Sequence, residues 1–143
     1  MTNQQAKQTM NNIDSNNVFQ QISAPVGRVF LATIFFMSGI TKISGYVGTQ
    51  GYMEAMGVPG ALLPLVIALE VIGGLAIIFG WKTKLVAFAL AGFSLASAAL
   101  FHADFNDQMQ MGMFMKNVAI AGGFLMLVAQ GPGAYALDHR LAK

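Results

Sequence analysis

Cysteine is absent from this chain of 143 residues. That single gap removes disulfides, thiolate nucleophiles, CxxC relays, iron–sulfur ligation and c-type haem attachment. Any redox role therefore needs a borrowed cofactor, and the missing thiols carry no information about compartment. Charge is scarce as well. Asp, Glu, Lys and Arg make up 10% of the residues, against about 25% in soluble globular domains, which argues against a soluble enzyme. The eight basic and six acidic residues leave a net charge of +2 and stand singly along the chain. No basic stripe exists to track phosphates, so nucleic acid is excluded as a partner.

What is abundant is hydrocarbon, at 55% hydrophobic residues. Four tracts, Val26–Ile43, Ala61–Gly80, Leu85–Phe101 and Met113–Ala129, hold most of it. Each approaches the ~20 residues that cross ~30 Å of hydrocarbon. The pattern predicts an all-α polytopic membrane protein, a four-helix bundle in a lipid bilayer, with no length left for a separate catalytic domain.

Residues 1–20 are rich in Asn, Gln and Ser and show no signal-peptide pattern, so they are expected to be a disordered or interfacial tail preceding a four-helix domain over 21–143. Pro25 suits a first helical turn, which starts the first span there. Tyr52, Met53 and Met56 lie at helical spacing within the Gly-rich connection 45–59, which predicts a short interfacial helix between the first two spans. Pro59, Gly60 and Pro64 set up the second span, and Gly80 closes it. Only Trp81, Lys82, Thr83 and Lys84 separate it from the third, which forces an antiparallel hairpin. On the third span Ala87, Ala91, Ser94 and Ala98 form a small-residue stripe suited to close helix contact. The fourth ends at Gly131-Pro132-Gly133. Ile72-Gly73-Gly74-Leu75 in the second span echoes Ala121-Gly122-Gly123-Phe124 in the fourth, which leaves open either a parallel repeat or coincidence among membrane glycines.

Basic residues concentrate on cytoplasmic flanks. With four spans, Lys7, Arg28, Lys82, Lys84, Arg140 and Lys143 share one side, and Lys42 and Lys116 the other. Both termini are thus expected in the cytoplasm, with residues 45–60 and 102–112 outside.

Glu70 is the most informative residue, being the one charge between Ala61 and Gly80. It lies roughly 13 Å below the outer end of its span, where a carboxylate facing lipid costs at least a few kcal/mol. It must face protein, water or a ligand. Arg28 and Lys42 are fourteen residues apart, about 40° short of whole turns, and share one face of the first span. Lys116 and Asn117 near the outer end of the fourth span and His102 at the outer end of the third add polar groups. Each basic side chain has a plainer reading as a snorkelling anchor, and Glu70 has one as a buried pair, with Arg28 as the partner, that fixes helix registry. Met109, Met111, Met113 and Met115 alternate near His102 and offer soft ligands for Cu(I), but alternate residues on a helix do not converge on one point, and no metal site is expected.

The ordered set Gly27-Arg28-Val29 to Ser38-Gly39-Ile40-Thr41-Lys42, Tyr52-Met53-Glu54-Ala55-Met56-Gly57-Val58-Pro59, Leu69-Glu70-Val71-Ile72-Gly73-Gly74, Gly80-Trp81-Lys82-Thr83-Lys84, Phe101-His102, Phe114-Met115-Lys116-Asn117 and Gly131-Pro132-Gly133-Ala134-Tyr135-Ala136-Leu137-Asp138 resembles the DoxX family of small four-helix inner-membrane proteins. The likeness covers about residues 26–138, and Ala136 stands where the family commonly has serine. It implies an inner-membrane location and association with redox complexes, quinone-linked in some relatives, while many members have no assigned activity. Family patterns place polar residues where Arg28, Lys42, Glu70, His102 and Lys116 stand.

Together these readings predict a membrane component of an oxidoreductase or quinone-linked complex. Glu70 and Arg28 would be its catalytic pair, and Lys42, His102, Lys116 and Asn117 would hold a small anion or a quinone. Oxidoreductase subunits and further copies of the chain are the expected partners. The alternative is a non-catalytic transporter, scaffold or anchor with Glu70–Arg28 as a structural pair.

Overall fold

The computed structural model describes the backbone of residues 2–142 and the side chains of residues 2–8 and 18–142. Lys143, counted above among the basic flank, lies outside the described residues. In chain order the elements are α1 (Asn3–Ser44), α2 (Tyr46–Ala55), a 3₁₀ turn (Gly60–Leu62), α3 (Leu63–Phe79), α4 (Thr83–Phe101), α5 (Gln108–Gln130) and α6 (Leu137–Leu141). Four stretches are long and apolar enough to cross a membrane: Val18–Ser44, Gly60–Phe79, Thr83–Phe101 and Gln108–Gln130. The four-helix architecture and the short helix after the first span are as the sequence predicts.

Two helix starts differ from expectation. Pro25 does not open the first span but lies inside the continuous helix α1. The start is fixed instead at Thr2, where the Thr2 hydroxyl accepts from the Gln5 backbone N–H and the Gln5 side chain accepts from the Thr2 N–H. This reciprocal pair satisfies two otherwise orphaned donors, so residues 3–20, expected to be a disordered or interfacial tail, form the N-terminal part of the helix. Similarly, α5 begins at Gln108 rather than near Met113, because the Asp107 carboxylate accepts from the Met109 N–H at 2.8 Å.

The spans are arranged as a ring. α1 packs along α3, α3 on α4, and α4 along α5. The core is made of small and aromatic residues, with Ala32 and Phe35 of α1, Ile77 of α3, Ala87, Leu90 and Ala91 of α4, and Ala121 and Phe124 of α5. Phe35 meets Phe124 edge-on at 5.4 Å and Phe93 at 6.3 Å. The stripe Ala87, Ala91, Ser94 and Ala98 is wholly inward. Large apolar side chains such as Leu65, Ile72, Phe79, Leu85, Phe88 and Met126 are exposed on the periphery along the spans, an arrangement suited to hydrocarbon as the solvent. The glycine echo has a partial counterpart in three dimensions, since Gly74 abuts Ala32 and Phe36 while Gly123 abuts Leu31, both on α1.

Alternate spans run in opposite directions, which gives the bundle two ends. One bears both termini and the α3–α4 hairpin, and is called here the terminal face. The other, the loop face, bears α2 and the connection between α4 and α5.

A candidate ligand cavity with a buried ion pair

Glu70 faces inward, as its depth in the span requires, and its residue is 3% exposed. What it meets there follows from the close approach of α1 and α3. A Cβ on Gly39 would lie 2.6 Å from Val71 Cγ2 and 3.2 Å from both the Glu70 Cβ and the Val71 backbone nitrogen, so only glycine lets the two backbones come this near. That approach sets Glu70 level with the last turns of α1. Lys42 Nζ donates to Glu70 Oε1 at 2.9 Å and to Ser38 Oγ at 2.6 Å, and Ser38 Oγ in turn donates to the same carboxylate oxygen at 3.2 Å. One carboxylate oxygen thus accepts twice, while the other, Oε2, is buried without a hydrogen-bond partner.

The expected Glu70–Arg28 pair is not formed. Because α1 and α3 are antiparallel, the register that sets Glu70 beside Gly39 sets Arg28 beside Gly80. Eleven residues from 28 to 39 at ~1.5 Å each separate the two groups by roughly 16 Å along the seam. Arg28 and Lys42 do share the α3-facing side of α1, as their spacing indicated, but they serve opposite ends of it.

Around the Lys42–Glu70 pair lies a cavity of about 390 Å³ in the loop-face half of the bundle, lined by residues from every span. Lys42, Glu70, His102, Lys116 and Asn117, all anticipated from sequence, line it together. Arg28 does not. Its apolar walls include Phe35 and Phe93, and α2 roofs it with Thr49, Tyr52 and Met53. The Tyr52 ring stacks on Phe101 at 5.6 Å and Met53 is buried, so the interfacial helix is seated on the bundle. His102 Nδ1 is 2.7 Å from Gln110 Oε1, and the Asn117 side-chain amide donates to the Met113 carbonyl at 3.0 Å. The Lys116 ammonium reaches only the Met113 sulfur, at 3.1 Å. Lys42–Glu70 is the one ion pair among the described residues, which leaves Lys116 as an uncompensated cation on the cavity wall.

Ser38 and the roof were not picked out as site residues. The signal for Ser38 was available: it lies one turn before Lys42, on the same face of an otherwise apolar run. The methionines at 109, 111, 113 and 115 stand on helix α5 and are 36–70% exposed. Among the described residues no three His, Asp or Glu side chains cluster as a metal site would require.

Arg28 belongs to a second polar cluster, at the terminal face. Its residue is 2% exposed, its Nη2 donates to the Tyr135 carbonyl at 2.6 Å, and its Nε and Nη1 are buried without partners. Gly80, in the left-handed conformation, ends α3 with paired bonds from Gly80 N–H to the Ile77 carbonyl and from Trp81 N–H to the Ala76 carbonyl. The segment that follows α5 then crosses this corner and leads into α6. Asp138 N–H donates to the Gly80 carbonyl at 2.9 Å, and the Asp138 carboxylate accepts from Lys82 N–H at 2.6 Å and Thr83 N–H at 2.8 Å. A residue 55 positions away thereby caps the first turn of α4. Burial pushes the Asp138 carboxyl up, but the Thr83 and Lys82 backbone donors and nearby His139 together hold it below the ordinary carboxylate value.

An all-helical membrane bundle with an ion pair and a polar-lined cavity between its spans defines the class. The chain belongs to the DoxX family, whose model matches residues 24–103. It is 52% identical over 124 residues to the inner membrane protein YqjF of Escherichia coli, covering 87% of this chain and 95% of that one. It is 35% identical over 122 residues to the inner membrane protein YphA of the same organism, covering 80% and 87%. A shorter likeness, 36% over 59 residues covering 41% and 44%, is to a Bacillus subtilis protein named "Putative oxidoreductase CatD". No solved structure matches.

Proposed function

We propose that this chain is an inner-membrane component of a redox complex that binds a small anionic or quinone-like molecule in the cavity beside Glu70, and that Glu70 exchanges a proton with it. One observation carries the reading: a carboxylate buried at mid-span has one oxygen bound to Lys42 and Ser38 and the other without a partner. An unsatisfied buried acceptor is costly, and a ligand O–H donating to Oε2 offsets that cost. The Lys42 ammonium balances the carboxylate charge and Ser38 holds its orientation, while His102, Lys116 and Asn117 supply donors for a ligand oxygen. The chain has no redox-active group of its own, so electrons come from a partner subunit through the bound molecule. The relatives from Escherichia coli, named as inner membrane proteins, support the location, and the relative named as an oxidoreductase supports the redox setting. Basic-residue placement supports cytoplasmic termini, with the cavity in the outer half.

The test compares wild type with Glu70→Gln for quinone reduction in membranes and for proton uptake in proteoliposomes. Loss of at least about 100-fold is expected for a proton-transfer group. Unchanged rates in a folded variant would remove Glu70 from the chemistry. They would favour the second reading, a non-catalytic scaffold or transporter, for which the specific observation is that the Lys42–Glu70 pair sits beside a close approach of α1 and α3 at Gly39, where it would fix their registry.

A further inference from the structure

The ring of spans is not equally closed on its four sides. α1 lies along α3, and α4 along α5, but α1 and α5 touch more sparsely, and among the described residues Gly123 abuts Leu31 and Phe124 meets Phe35 at the inner wall of the cavity. Ile34 and Ser38 of α1 and Lys116, Asn117 and Ile120 of α5 line the two sides of the same cavity. Ile34 and Lys116 are also exposed, so the cavity has a mouth between these helices, at the depth of the hydrocarbon. The opposite approach, from the loop face, is covered by α2 through the Tyr52–Phe101 stack and buried Met53.

The charge on the walls selects among molecules that could use this mouth. Lys42 and Glu70 cancel each other, whereas Lys116 has only a sulfur acceptor, a weak one. A neutral ligand would need no more than the Asn117 amide as donor. An ammonium beside low-dielectric walls gains most from an anion.

We propose that the cavity takes a single-chain anionic amphiphile from the bilayer through the gap between α1 and α5, with Lys116 meeting the anionic head group and the chain leaving between Ile34 and Ile120. The inference rests on the reading of the cavity as a ligand site, and it deepens that reading by giving the route of entry and the residue that selects the head group. It does not depend on proton exchange at Glu70.

The experiment uses full-length protein in phospholipid nanodiscs with nitroxide-labelled stearate as probe, read by electron paramagnetic resonance as the motionally restricted fraction. Wild type and Lys116→Arg are expected to show that fraction. Lys116→Gln is expected to weaken binding about tenfold or more, the loss of one charge-assisted contact. Ile34→Trp, which fills the mouth, is expected to reduce the restricted fraction, and Ile72→Trp, on the outer face of α3, to leave it unchanged. Ile120→Trp fills the same mouth from the other helix and decides the matter if Ile34→Trp does not fold. Equal restriction of the neutral methyl ester would overturn the selection by charge. Displacement of the probe by water-soluble butyrate at equal concentration, or full binding in both folded tryptophan variants, would overturn the bilayer route. Glu70→Gln separates the two proposals: retained stearate binding with lost proton uptake supports both, while lost stearate binding in Lys116→Gln alongside normal redox behaviour in Glu70→Gln removes only the proton role.

Discussion

At the scale of single residues, the energetics of the cavity turn on Glu70 and its two neighbours. A buried carboxylate is tolerated when it is paired and hydrogen-bonded, and removing one partner is far worse than removing both. Lys42→Met is therefore expected to destabilise the protein by about 3–5 kcal/mol, the range for breaking a buried pair. The Lys42→Met/Glu70→Leu double variant should recover most of that loss, because both charges leave together. Thermal unfolding in detergent of the two single variants and the double checks this. Strictly additive losses would show that the two side chains are not coupled. The same cycle run with Arg28 in place of Lys42 is expected to be additive, since Arg28 contacts Tyr135 rather than Glu70.

At the scale of elements, the terminal face shows how a tail segment can finish a hairpin it is remote from in sequence. The α3–α4 turn needs Gly80 and, more unusually, Lys82 in the left-handed conformation, and it leaves the first amides of α4 pointing outward with no local side-chain cap. Asp138 supplies that cap and the dipole-favoured negative charge. Because folding lowers the Asp138 carboxyl, its contribution is complete above the ordinary carboxylate value of about 3.9 and is lost as pH falls through the folded value below it. Protection of the α6 amides against hydrogen exchange, measured relative to the intrinsic rate at each pH, should therefore fall below about pH 4 in wild type. In Asp138→Asn the same amides should exchange faster at neutral pH and lose the acid transition, and Asp138→Ala should cost about 1 kcal/mol. An acid transition that persisted in Asp138→Asn would assign it to another group.

At the scale of the whole molecule, what was legible in the sequence divides along a physical line. Span number, the inward aspect of Glu70, the buried stripe on α4 and the gathering of Lys42, His102, Lys116 and Asn117 all follow from hydrocarbon thickness and helical periodicity, which act locally. The partner of Glu70 did not follow, because it depends on the register between two antiparallel helices. That register is set by the close approach at Gly39 and by the path of α2, and neither is periodic. The Asp138 cap was hidden for the same reason, its donors being 55 and 56 residues away. The start of α1 was legible in the Thr2–Gln5 spacing but outweighed by Pro25. Orientation in the bilayer is a property of the whole chain that the positive-inside rule addresses directly. The absence of cysteine makes it simple to measure, since any introduced thiol is the only one present. Asn106→Cys lies in the exposed turn between α4 and α5, and Ala142→Cys lies beyond α6 at the terminal face. With cytoplasmic termini, a membrane-impermeant maleimide applied to cells with a permeabilised outer membrane should label Asn106→Cys and leave Ala142→Cys unmodified until the inner membrane is breached. The reverse pattern would invert the protein and place the Lys42–Glu70 cavity in the cytoplasmic half, where a proton exchanged at Glu70 would come from the other side of the membrane.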